Sequence, residues 1–362
     1  MNFTRRPVCL TVSPVKTDCS LTSLIYGIPL AWHLIGAFVA ITSSAALAAD
    51  AAPPMRAMWV YRTEALLRGG ASEAELLNFC APRQITDLFL QAHFVAETRG
   101  GPFEIADAAA MRSLLREANA RGLRVHALAG DPTHALRGNH DRVLARVEAF
   151  AAFNENSPAE ARFAGLHFDI EPHGLPQWKS ADAAQKANLL TQFVELNARV
   201  VERLHARAPG ALYGADIAFW LDKTKSDGTP VLPVTFRGVT TDATRHLLGF
   251  VDHVAVMSYR DTAEGPNGII SLVARTISSA DEARGRVFVG VKMADIGPRH
   301  ESFHGRTEQE MNTELQKVDT AFRAHRGYAG LAYFMYSAFK EMARQPGAKE
   351  RDRSGDAATR TR

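Results

Sequence analysis
The chain predicts an α/β fold, a single-domain (β/α)8 TIM barrel, on three observations. Eight short runs rich in apolar, β-branched and aromatic residues recur along residues 53–344, with helical patterns between them. Strands that alternate with helices pair in parallel through crossovers, and eight such units in roughly 290 residues match this barrel. Polar and aromatic residues also gather at the C-terminal ends of the runs, where such barrels carry their active sites. A doubly wound open sheet is the main rival. It is disfavoured because Arg62-Thr63-Glu64, and no glycine fingerprint, follows the first run.

The predicted strands are Arg56–Tyr61, Asp87–Gln91, Arg124–Leu128, Gly165–Asp169, Leu212–Ile217, His253–Ser258, Val287–Val291 and Leu331–Met335. Helical patterns cover Ala71–Phe79, Asp107–Ala120, Asp141–Asn154, Ala181–Ala206 and Glu308–His325. The second of these stops at Arg121-Gly122, a C-cap signal, and the last stops short of Gly327.

Residues 1–48 read as an export signal. Arg5, Arg6 and Lys16 precede an apolar stretch from Leu24 to Ala40, and Ala46-Leu47-Ala48 fits a cleavage site. An uncleaved anchor helix is the alternative, weakened by Pro29, His33 and two glycines. The mature chain is expected to be periplasmic or secreted, with no stable membrane span. It would keep only Cys80, which excludes an internal disulfide and a cysteine-based metal site. Residues 345–362 read as a disordered polar tail. A net charge of +3 and the lack of a basic-aromatic face set nucleic acid aside as a partner.

The centre of interest is Phe163-Ala-Gly-Leu-His-Phe-Asp-Ile-Glu-Pro-His173. Along a strand, residues two apart face the same way, so Asp169 and Glu171 point together. Paired carboxylates cost stability through desolvation and repulsion, a cost accepted where they do chemistry. A proton donor beside an electrostatic stabiliser is the logic of glycoside hydrolysis. The competing structural reading is an ion pair with Arg62 or Lys292 at the barrel mouth. The other strand ends offer Trp59, Tyr61, His93, Asp131, Asp216, Trp220, Tyr259, Arg260, Phe334 and Tyr336.

On these residues the chain resembles the family-18 glycoside hydrolases, the chitinases and their relatives. Their fourth strand carries D-x-x-D-x-D-x-E, aligned here with Ala164, His167, Asp169 and Glu171. Their sixth carries M-x-Y, matched by Met257-Ser258-Tyr259, with Arg260 where an aspartate often follows. Their eighth places a tryptophan four residues after a glycine; here Phe334 follows Gly330 at that spacing, with Tyr336 one pleat later. The match is partial, that of a distant relative. The chain is also similar to uncharacterised secreted bacterial barrels with an H-x-D-x-E-P fourth strand.

The resemblance implies substrate-assisted hydrolysis of a β-linked glycan containing N-acetylhexosamine, with no organic cofactor. Glu171 would be the general acid, Asp169 would orient the 2-acetamido group, and Tyr259 would bond to its carbonyl. His167 would orient Asp169 in place of a missing aspartate, and Asp216 would contact substrate or support the site. Trp59, Tyr61, Trp178, Trp220 and Tyr336 are candidate sugar platforms, with His93, Arg62, Arg260 and Phe334 as further substrate contacts. The loop Leu221–Val239 is the expected lid, and the protein is expected to be a monomer.

Three other functions compete. A non-catalytic sugar-binding barrel fits the loss of the upstream aspartates, although Glu171 is retained. A conventional glycosidase would use Asp216, Asp261 or Asp295 as its second acid. A metal-dependent hydrolase or deacetylase lacks H-x-H on the first strand and an H-E-x-x-H helix, so no metal site is expected.

Overall fold
The computed structural model describes residues 53–98 and 100–344. Its strands are β1 (Met55–Val60), β2 (Asp87–Gln91), β3 (Phe94–Val95), β4 (Glu104–Ile105), β5 (Arg124–Ala129), β6 (Gly165–Phe168), β7 (Leu212–Ala218), β8 (Val234–Phe236), β9 (Val239–Thr241), β10 (His253–Met257), β11 (Arg286–Lys292) and β12 (Tyr328–Phe334). Eight close into a parallel barrel in the order β1-β12-β11-β10-β7-β6-β5-β2. The other four form two antiparallel hairpins, β3–β4 and β8–β9, in loops that follow barrel strands.

The helices are α1 (Glu64–Leu67), α2 (Ala71–Cys80), α3 (Ala108–Ala120), α4 (His140–Glu155), α5 (Ala183–Arg207), α6 (Ala243–Leu248), α7 (Ile269–Asp281), α8 (Glu308–Phe322) and α9 (Tyr336–Ala343). Barrel strands are buried on both faces, which is why they read as unbroken apolar runs. One core lies between strands and helices. A second fills the barrel interior, where Trp59, Phe89, Leu128 and Phe288 pack with small alanines. Reciprocal capping boxes start the two longest outer helices after α4: Asp182 with Gln185 on α5, and Thr307 with Glu310 on α8. On the buried face of α5, Asn197 accepts a hydrogen bond from the Tyr213 hydroxyl at 2.6 Å. That bond ties the helix to β7, the strand that carries Asp216.

All eight predicted strands form. The eighth begins at Tyr328, three residues early, because Gly330 hides its pattern. Its φ of 142° and the Met55 carbonyl, 1.9 Å from where a Cβ would stand, leave room for glycine alone. Helices α1, α6, α7 and α9 escaped the sequence reading. The first two are short. Helix α7 is rich in β-branched residues that imitate a strand. The segment Leu221–Val239, the expected lid, packs against α5 and α6. It folds with Thr240 and Thr241 into hairpin β8–β9, which pairs Arg237 with Glu202 of α5 and accepts a 3.0 Å bond from His246 at the Val234 carbonyl. None of its residues lines the barrel mouth.

The predicted export signal and tail lie outside the described residues. Among those described, no helix is long and apolar enough to cross a membrane.

Candidate active site
A cavity of about 550 Å³ opens at the C-terminal ends of the strands. Asp169 and Glu171 reach it from the end of β6, Asp216 from β7, Tyr259 from just past β10, Lys292 from β11, Phe334 from β12, Trp59 from β1, and Tyr61 and Arg62 from just past β1. The acids converge for local reasons. The Asp169 amide donates to the Ala129 carbonyl at 2.9 Å, extending the β5–β6 ladder one residue. Ile170 turns back into the core, and Pro172 starts a tight turn over Pro172–Gly174 that Glu171 precedes. Register pairs Phe168 with Ala215, so Asp216 stands beside Asp169 on the next strand.

Asp169 is held at one of its two carboxylate oxygens. Its Oδ2 accepts from the Tyr61 hydroxyl at 3.1 Å, while Oδ1 is buried without a partner. Burial holds its carboxyl well above the usual range, and the charges of Asp216 and Glu171 add to the effect. Asp216 forms the floor. Its Oδ2 accepts from the Trp59 indole at 3.0 Å, and its Oδ1 lies 2.9 Å from His167 Nε2. Burial raises this carboxyl also. Tyr259 is half-buried against the cluster. Desolvation and the three acids keep its hydroxyl protonated well above the ordinary range, so it is a hydrogen-bond donor. Glu171 is half-buried, 2.9 Å from His173 Nε2.

Neither Arg62 nor Lys292 forms an ion pair with Asp169 or Glu171 among the described residues. The Lys292 ammonium lies 3.3 Å from Glu301 and 5.1 Å from the centre of the Tyr259 ring. Arg62 has a left-handed backbone, and its amide donates to Gln91 Oε1 at 2.8 Å. Gln91 and Lys292, which the sequence places at the ends of their strands, both line the cavity.

Several expectations need correction. His167 is fully buried and cannot touch a sugar. Its ring stacks on Phe89 at 3.9 Å, and its nitrogens bond Asp216 and His253, not Asp169. Sitting one pleat deeper, it supports the neighbouring strand's acid. Trp59 and Tyr61 serve as donors to Asp216 and Asp169, and Trp59 is too buried to be a platform. Tyr336 leaves the mouth altogether. The chain becomes helical there, and its ring packs on Phe79 of α2 at 5.4 Å.

Trp220 packs on His173 and Trp178 at the rim, outside the cavity lining. Arg260 is structural. It donates to the Tyr259 carbonyl at 2.6 Å and to Asn267 at 3.1 Å, and covers Phe219. His93 faces a neighbouring cleft, 3.2 Å from Glu64 without hydrogen-bond alignment. Asp261 is paired with Arg306 at 2.5 Å, and exposed Asp295 lies 3.8 Å from His304; neither lines the cavity. Phe334 does line it, flanked by Tyr61, Trp59 and Tyr259. Among the described residues, no group of three or more His, Cys, Asp or Glu side chains is arranged to hold a metal ion.

No family model matches the chain, and no curated protein does. Solved structures do. The exo-β-1,4-mannosidase Op5Man5 from Opitutaceae bacterium strain TAV5 aligns at 13% identity and a TM-score of 0.51, over 78% of this chain and 52% of that one, so this chain spans about half its length. A chitinase from Chromobacterium violaceum ATCC 12472 aligns at 13% identity and a TM-score of 0.47, over 81% of this chain and 100% of that one. The spore cortex-lytic enzyme SleL from Bacillus megaterium QM B1551 aligns at 12% and 0.47, over 78% and 70%. At such identities the likeness is one of fold, and the chain is a (β/α)8 barrel similar to those of glycoside hydrolases.

Proposed function
We propose that this barrel is a glycoside hydrolase acting on a β-linked glycan that contains N-acetylhexosamine. The observation that carries the reading is the buried, unbonded Oδ1 of Asp169. A buried carboxylate oxygen left without a partner is costly, and a substrate N–H would satisfy it. In this reading the 2-acetamido N–H donates to Asp169, and its carbonyl, polarised by the Tyr259 hydroxyl, attacks the anomeric carbon. Glu171 gives its proton to the departing glycosidic oxygen. Water then opens the cyclic intermediate at the anomeric carbon and returns a proton to Glu171. Phe334, Tyr61 and Tyr259 offer ring surface to the sugar. Residues 1–48 support an exported enzyme, periplasmic or secreted.

The test is glycan release from chitin oligomers, peptidoglycan and poly-N-acetylglucosamine, with a Glu171→Gln variant alongside. Products from the unaltered protein and none from the variant are expected. Equal glycan binding by both with no products from either would reject hydrolysis and leave a binding barrel.

A further inference from the structure
Beside the active-site cavity lies a second cleft of about 430 Å³, and Gln91 lines both. The two are separated by little more than backbone. A Cβ on Gly130, which lines the second cleft, would stand 1.7 Å from the Asp169 carbonyl oxygen. The far wall is basic. Arg142 and Arg146 lie one turn apart on α4, and both guanidiniums sit over the Phe103 ring, 5.1 and 4.3 Å from its centre.

Neither arginine forms an ion pair among the described residues. Arginines facing α4 from α5 do, as Arg199 does with Asp141 and Arg203 with Glu148. Arg146 spends one N–H on the Arg142 carbonyl at 3.0 Å. Stacking on Phe103 uses the flat faces of the guanidiniums. Apart from that one bond, their N–H edges, which recognise oxyanions in a planar fork, are open to a ligand. Pinning Phe103 alone would be served by aliphatic side chains and does not account for two unpaired charges.

The remaining polar groups set the ligand's charge. Asp131 is the one acid lining the cleft, and its Oδ1 is occupied by the Thr133 amide at 2.8 Å and hydroxyl at 2.5 Å. His134 has a buried, unpartnered Nδ1, and burial beside Arg146 lowers it to about 4, so it is neutral at pH 7. Two arginines against one aspartate leave a single net positive charge. That balance matches a monoanion better than a phosphate dianion.

We infer that this cleft is a subsite for a singly charged oxyanion on the glycan, a carboxylate or sulfate ester borne by a sugar neighbouring the one at Asp169 and held by Arg142 and Arg146. The inference rests on the glycan-binding reading above and narrows it to an acidic glycan.

Calorimetric titration of the Glu171→Gln protein, which prevents turnover, tests it with three tetrasaccharides. These are chitotetraose, its counterpart with a 3-O-lactyl carboxylate on alternate sugars, and 6-O-sulfated chitotetraose. One acidic ligand is expected to bind about tenfold more tightly than the neutral one, the gain from a charge-assisted pair of bonds. The tighter of the two names the anion. Adding Arg142→Gln and Arg146→Gln is expected to erase that preference and leave chitotetraose binding unchanged. Arg142→Gln alone, at an exposed position, is expected to weaken the preference while Arg146 still covers Phe103. Equal binding of all three, or a preference that survives the double substitution, would overturn the subsite. The hydrolase reading would then still stand if the unaltered protein cleaves chitotetraose. Failure of all three to bind would overturn both.

Discussion

His167 holds Asp216 from below: its Nε2 lies 2.9 Å from Asp216 Oδ1, and its Nδ1 lies 3.1 Å from His253 Nε2. Proton bookkeeping makes this contact directional. When Asp216 is charged, His167 must donate through Nε2 and accept through Nδ1, so His253 donates upward. The chain of N–H groups then points at the floor of the active site. His167→Phe keeps the stack on Phe89 and removes the donor. Stability is expected to fall by about 1–3 kcal/mol, the cost of an unsatisfied buried acceptor. The Asp216 carboxyl should rise further, so the alkaline or acid limb that it governs should move to higher pH. A pH–rate profile identical to that of the unaltered protein would reject the link.

Burial of uncharged imidazoles predicts loss of stability in acid. Desolvation holds His167 and His253 well below the ordinary histidine value. The unfolded chain therefore binds more protons below about pH 6.5, so this contribution is complete above that pH and is lost as pH falls. His253→Phe is expected to be less stable than the unaltered protein at pH 7, with the gap narrowing at pH 5. Melting curves at the two pH values decide it, and a gap that widens would contradict the sign.

The acids act the other way. Asp169 has a raised carboxyl, so the folded state holds its proton more tightly than the unfolded chain. Stability from this group is highest in acid and falls as pH rises from about 4 toward the raised value. Asp169→Asn should therefore raise the melting temperature at pH 7, by about 2–4 °C for each kcal/mol relieved in a domain of this size, with the gain shrinking toward pH 4. The same variant should lose at least about a hundredfold in turnover if Asp169 orients the reacting group. Calorimetric melts paired with product assays separate the two effects.

Tyr61→Phe deletes the one hydroxyl that anchors Asp169 Oδ2. A fall in kcat of about ten- to a hundredfold with little change in KM is expected, since the loss is in orientation and not in sugar contact. A change confined to KM would instead mean that the Tyr61 hydroxyl contacts the sugar and does not set the position of Asp169.

Gly130→Ala drives a methyl group into the Asp169 carbonyl, whereas Gly138, in the same loop, has open space where a Cβ would stand. The first substitution is expected to cost about 1–3 kcal/mol and to depress activity, the second to do neither. Denaturant midpoints and initial rates for the pair would show whether the backbone behind Asp169 sets its position.

The barrel was legible because burial on both strand faces writes eight apolar runs into the chain, and no partner strand is needed to see them. Helix α7 was hidden by its β-branched residues and α9 by a strand that ended earlier than its pattern. The pair Asp169 and Glu171 was legible too, since two-residue spacing is a property of one strand. Tyr336 was misread for the same reason: the pleat rule was extended past Phe334, where the backbone had turned helical.

The sequence by itself determined the barrel, the end of it where the candidate site lies, and the presence there of Asp169, Glu171 and Tyr259. Only the tertiary structure decided that Asp216 joins Asp169, that Trp59 and His167 hold Asp216, that Tyr61 holds Asp169, and that Arg142 and Arg146 flank a second cleft behind Gly130. The physical reason is that spacing along a strand sets which residues share a face, whereas meetings between strands depend on register and barrel closure. Those are set by packing summed over the whole chain.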